Sequence, residues 1–115
     1  METTRDIIHI LWTNDHPQTA HTMVLMYATN AKLHHWFEQV EVIIWGASAQ
    51  LVAQNPMIQE KIALAQHAGV VFRACIACTN QFGVTEQLRA MDIEVAPMGV
   101  VLTAIIKNDE KLLTV

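Results

Sequence analysis

Val70-Val71-Phe72-Arg73-Ala74-Cys75-Ile76-Ala77-Cys78 is an apolar, strand-like run that delivers a Cys-x-x-Cys pair, with Gly69 before it and Gly83 eight residues after Cys75. A thiol carried at the carboxyl end of a central strand sits where ligands and chemistry gather in α/β proteins. These are the only two cysteines of the chain. With no secretory leader in view, an isolated pair reads as a reactive or redox thiol site rather than as a disulfide framework.

The pattern on both sides of this stretch repeats strand, then helix. Ile7 to Trp12 is a near-continuous apolar run, as expected for a strand buried on both faces, and it ends at Thr13-Asn14-Asp15-His16-Pro17. Pro17 suits a first helical turn, so a helix is expected from Gln18 to about Phe37, with His34 and His35 near its C-terminus. Val40 to Trp45 is the second strand. Gly46-Ala47-Ser48 ends it, and Ser48 is the expected N-cap of the helical residues that follow. Asn55-Pro56 reads as the cap and first position of a helix closed by Gly69. After the cysteines, a short helix is expected to run to Phe82, and Thr85 to cap Glu86 to Met91. Ile93 to Ala96 is the fourth strand, Val100 to Lys107 a helix apolar almost all round, and Lys111 to Val115 a fifth strand. Such regular alternation implies parallel pairing through crossover helices.

Composition narrows the possibilities. The 115 residues suit one domain, 1–115, with a single core. Hydrophobic residues make up 52% of the chain and charged residues only 16%, which points to apolar surface buried in a homo-oligomer. A net charge of -4 without a Lys/Arg cluster argues against nucleic acid and against an anionic membrane surface as partners. No apolar run is long enough to span a membrane, and the expected compartment is the cytoplasm, with both thiols reduced.

In a parallel sheet the carboxyl ends of all strands share one rim. Here the rim holds Asn14 and Asp15 after the first strand, Gly46 and Ser48 after the second, Cys75 and Cys78 after the third, and Met98 and Gly99 after the fourth. Free N–H groups of the helix starts at such a rim favour an anion or a thiolate, so Asn14, Asp15, Gly46, Ser48, Met98 and Gly99 form the expected ligand site beside Cys75 and Cys78. Each residue also has a plainer account. Free cysteines are often simply buried, capping explains Asn14, Asp15 and Ser48, and Arg73 reads first as a snorkelling strand residue. His16 reads as a solvated loop histidine before it reads as an acid/base group. Two cysteines do not complete a zinc site and no glycine-rich phosphate fingerprint is present, so neither metal nor cofactor is expected.

Four blocks, in this order and spacing, resemble the DsrE-like family: Ile7 to Trp12 with Asn14-Asp15, Ile43 to Ala49, Cys75 to Val84, and Ile93 to Gly99. The resemblance covers nearly the whole chain and implies a three-layer α/β/α sandwich with a five-stranded parallel sheet ordered 4-3-2-1-5, assembled as a trimer or hexamer. Relay members of the DsrE and TusD type carry sulfur as a persulfide on a cysteine eight residues before a Gly-Val pair. Against Gly83-Val84 that position is Cys75. Two features depart from that pattern: Gln81 and Phe82 stand where relay members have basic residues, and Cys78 has no counterpart. The resemblance implies a cytoplasmic thiol protein that takes sulfur from a donor protein on Cys75 and passes it to an acceptor, with Cys78 as the auxiliary thiol. The alternatives are an oligomeric small-ligand or nucleotide-binding module without covalent chemistry, and a structural subunit with inert thiols.

Overall fold

A computed structural model describes residues 6–115. Five strands form one parallel sheet in the order β4-β3-β2-β1-β5, with β1 Ile7–Trp12, β2 Gln39–Ile44, β3 Val71–Cys75, β4 Glu94–Ala96 and β5 Lys111–Thr114. The expected order 4-3-2-1-5 is therefore the observed one. Residues 1–5 of the expected domain lie outside the described residues.

Alternate side chains of each strand face opposite layers. Ile8, Ile10 and Trp12, Val40, Val42 and Ile44, Phe72 and Ala74, and Val95 point into the larger core. They pack there against the first helix, α3 (Ala47–Gln54), α4 (Pro56–Ala68) and α6 (Thr85–Arg89). The first helix runs through α1 (Pro17–Thr19), a π-helical stretch Ala20–Met26 and α2 (Tyr27–Leu33), presenting Ala20, Val24, Ala28 and Ala31 to the sheet. α5 (Ile76–Phe82) spans both layers, with Ile76 and Phe82 against the larger core and Cys78 against the smaller. The smaller core lies under α7 (Met98–Lys107), where Ile43, Cys75, Met98 and Ile105 form one cluster.

Several boundaries differ from expectation for local reasons. The first helix stops at Leu33 rather than Phe37 because His35 adopts a left-handed φ of 57°. Trp36 N–H then bonds to Ala31 C=O, and His35 N–H to Lys32 C=O. That is a Schellman closure without the usual glycine. Asp109 (φ 55°) ends α7 in the same way, with Glu110 N–H on Ile105 C=O and Asp109 N–H on Ile106 C=O. Asn55 and Gly69 behave as expected: Asn55 Oδ1 accepts from Ile58 N–H, and Gly69 takes a φ of 108°. Thr85 is not the cap of α6. Val84 takes that position, and the Thr85 hydroxyl instead bonds to Thr79 Oγ1 at 2.8 Å.

Candidate functional site

The rim builds up from the ends of β1, β2 and β3. β2 finishes in a turn whose pivot, Gly46, has φ 65° and ψ -132°, a conformation closed to most L side chains. This turn makes Gly46 the N-cap of α3 and moves Ser48 inside the helix, correcting its expected capping role. Ser48 is fully buried. Its Oγ donates to Trp12 C=O at 2.6 Å or Trp45 C=O at 3.1 Å and accepts from Trp45 N–H at 3.0 Å. The hydroxyl thus pins the end of β1 to the end of β2, and its hydrogen-bonding capacity is spent on backbone. Ser48→Ala is expected to cost about 1–3 kcal/mol through the loss of its buried bonds to Trp12 and Trp45, although Trp45 N–H keeps its direct bond to Trp12 C=O at 3.0 Å. Chemical denaturation checks this, and a loss below about 0.5 kcal/mol would remove the pinning role.

Cys75 is the last residue of β3 and the N-cap of α5, which puts Cys78 one turn into that helix and back beside it. The two free thiols are neighbours in one cluster, and the Gly46 backbone lies close enough to influence the Cys78 sulfur. Burial pushes the Cys78 thiol up from its ordinary range. The Gly46 N–H opposes this shift, whereas the neighbouring Cys75 adds to it. Cys75 is only 6% exposed and Cys78 is half-buried. Cys78 is therefore the more accessible of the two thiols, while Cys75 is roofed by Met98 and Ile105 of α7.

The other expected site residues divide. Gly46 reaches the thiols through its N–H, and Met98, at the first position of α7, packs in the Cys75 cluster. Asn14 Oδ1 accepts from His16 N–H, closing its own turn, and Asp15 is exposed beside it. Gly99 has open space where a side chain would stand, so its being glycine has no steric cause. His16 caps α1 through Nδ1.

Arg73 does not serve the thiols. It belongs to a charged row across the amino-terminal half of the same sheet face, absent from the expected site. Glu110 Oε1 lies 2.8 Å from His9 Nε2, His9 Nδ1 lies 2.6 Å from Glu41 Oε1, and Arg73 Nη1 donates to Glu41 Oε2 at 3.1 Å. Arg73 Nε is 3.1 Å from Glu94 Oε1, close enough to pair as charges but misaligned for a hydrogen bond. His9 and Glu41 are buried. The row floors an open cavity of about 510 Å³ beneath α7. Among the described residues no group of side chains is arranged to hold a metal ion, and no helix is long and apolar enough to cross a membrane.

Fold and rim together define a parallel α/β protein that presents a pair of neighbouring thiols at the carboxyl edge of its sheet. The chain belongs to the DsrE/DsrF-like family, whose model matches residues 6–115. It is similar to the conserved protein of unknown function BT1422 from Bacteroides thetaiotaomicron, with 38% identity and a TM-score of 0.93 over 96% of this chain and 95% of that one. The ychN protein of E. coli shares the fold, with a TM-score of 0.72 at 15% identity over 97% of this chain and 100% of that one. No curated protein matches the chain.

Proposed function

We propose that this chain is a cytoplasmic sulfur carrier of the relay type, holding sulfane sulfur as a persulfide on Cys75 with Cys78 as its resolving thiol. The observation that carries this reading is the packing of the two free thiols in one cluster at the end of β3. Membership of the DsrE/DsrF-like family supports it. In the loading step the Cys75 thiolate attacks the terminal sulfur of a donor persulfide, R–S–SH. The donor S–S bond breaks, R–S⁻ leaves with the electron pair, and Cys75–S–SH forms. An acceptor thiolate removes the outer sulfur by the same exchange. In the alternative exit, the Cys78 thiolate attacks the Cys75 sulfur and expels hydrosulfide. The two thiols lose two electrons to the sulfane sulfur, and a dithiol reductant must reopen the resulting disulfide. The raised Cys78 thiol makes it a slow resolver at neutral pH, which favours hand-over to an acceptor.

Incubation of the reduced protein with a sulfane-sulfur donor tests this reading by intact mass. The parent is expected to gain one sulfur atom and Cys75→Ser to gain none. Loading of Cys75→Ser to the parental level would transfer the role to Cys78. No adduct in any form would favour a ligand-binding module without covalent chemistry.

We also propose that the chain assembles as a homotrimer or hexamer through α7. Val100 and Ile106 are 77% and 57% exposed, and Val100 is flanked by exposed Gly99 and half-buried Val101. A helix this apolar is unfavourable in water. Sedimentation at micromolar concentration is expected to show the oligomer, and Val100→Glu to shift it toward monomer. A monomeric parent would refute the assembly.

A further inference from the structure

We propose that the groove between the first helix and α4, on the outer surface of the layer opposite α7, is a docking site for an amphipathic helix of another protein that carries a carboxylate beside its apolar residues. Both elements lead the chain from the carboxyl rim back to the amino edge of the sheet, so they lie side by side and run in the same direction. Their inward positions are spent on the core, with Val24, Ala28 and Ala31 from the first helix and Ile58, Ile62 and Ala65 from α4. Their outward positions are apolar as well. Met26 stands four residues before Asn30 and Leu33 three after it, and Met57 and Leu64 stand in the same relation to Lys61. All four of these apolar side chains are exposed. Between the two rows lies a cavity of about 250 Å³, walled by Leu25, Met26 and Asn30 on one side and by Lys61 and Leu64 on the other.

Shape and charge together identify the occupant. Two neighbouring helices with outward residues repeating every three to four positions leave a furrow that a third helix fills by ridges-into-grooves packing. The methionine thioethers, unbranched and flexible, adapt to the side chains laid on them. Lys61 gives the cavity wall a fixed positive charge, and no carboxylate is among the described residues of that wall. The surrounding layer is short of acid: residues 16–37 contain none and α4 contains only Glu60, in a chain with four more acidic than basic residues. A second copy of the same face would bring its own lysine and no carboxylate from its groove. A helix with Glu or Asp next to its apolar residues instead pairs with Lys61 while it covers the methionines and leucines. The surface also stays open in the assembly proposed above, because α7 packs on the other face of the sheet.

The inference does not rest on sulfur chemistry, and neither does its test. The probe is a labelled synthetic helix of about three heptads with Leu at a and d and Glu at e and g, whose like charges keep it from pairing with itself. A second peptide carries Lys in place of every Glu. Fluorescence anisotropy follows both against the full chain at about 0.15 M salt, where charges beyond about 8 Å are largely screened. The net charge of -4 favours the basic peptide at long range, so a preference for the acidic one can come only from its local surroundings. Saturable binding is expected, about tenfold or more tighter for the acidic peptide. Leu64→Glu is expected to weaken it about tenfold, and Lys61→Glu to reverse the preference between the peptides. Both side chains lie outside the core, so these variants keep the fold. No saturable binding, equal binding of the two peptides, or binding untouched by Leu64→Glu overturns the proposal. Self-association of the parent that Leu64→Glu abolishes and Val100→Glu leaves intact would assign the groove to a second copy, and overturns it as well.

Discussion

Glu41→Ala is expected to destabilise the protein by about 3–5 kcal/mol, among the largest losses available to a single change outside the apolar core. Glu41 is the shared acceptor of the charged row, taking the His9 ring on one oxygen and the Arg73 guanidinium on the other. Its removal leaves a buried ring and a largely covered guanidinium without their common partner on the floor of the cavity beneath α7. The favourable worth of such a pair against an apolar replacement is small; the damage comes from stranding the groups that remain. Thermal unfolding should show a fall in Tm of more than about 10 °C. Glu41→Gln, which keeps an acceptor for one of the two donors, should fall between parent and alanine. A loss below about 1 kcal/mol for alanine would mean that the row is solvated and contributes little.

Cys78→Ser is expected to lengthen the lifetime of the Cys75 persulfide by about tenfold or more, since thiol–disulfide exchange needs a thiolate and a serine hydroxyl supplies none. The thiols are neighbours in one cluster, so in the parent the resolving attack needs only local rearrangement and deprotonation of Cys78. Because burial raises that thiol, its resolving rate should continue to climb with pH beyond the range where an ordinary cysteine has levelled off. Sulfide release after a single loading pulse measures both effects. Equal release by parent and variant at all pH values would show that Cys78 takes no part in the exit.

The strands were legible in the sequence because each is a short apolar run bounded by turn residues, and Cys75 at the end of one of them followed from position alone. The lateral order of the strands came from the family resemblance, since apolar runs do not specify their neighbours. The cysteine pair was found, but the burial of Cys75 was not, because the roof over it comes from Met98 and Ile105, far along the chain. Ser48 was misplaced by two residues: Gly46, with its left-handed φ, starts the helix and leaves the serine inside. The helix ends at His35 and Asp109 carry no glycine to mark them. The charged row was missed although a signal for it existed. His9, Glu41 and Arg73 occupy the same alternating face of three strands otherwise rich in apolar residues, and opposite charges on one buried face must meet. The π-helical stretch Ala20–Met26 has no mark in the sequence that we can name.

The central claim is that sulfur is carried on Cys75, and the measurement that meets it most directly is peptide-level localisation of the added sulfur after brief loading of the unmodified protein. The expected result is an additional sulfur atom on Cys75 at early times, followed by a Cys75–Cys78 disulfide as sulfide appears in solution. Sulfur residing on Cys78 from the outset, or a Cys75–Cys78 disulfide with no preceding adduct and no sulfide, would contradict it.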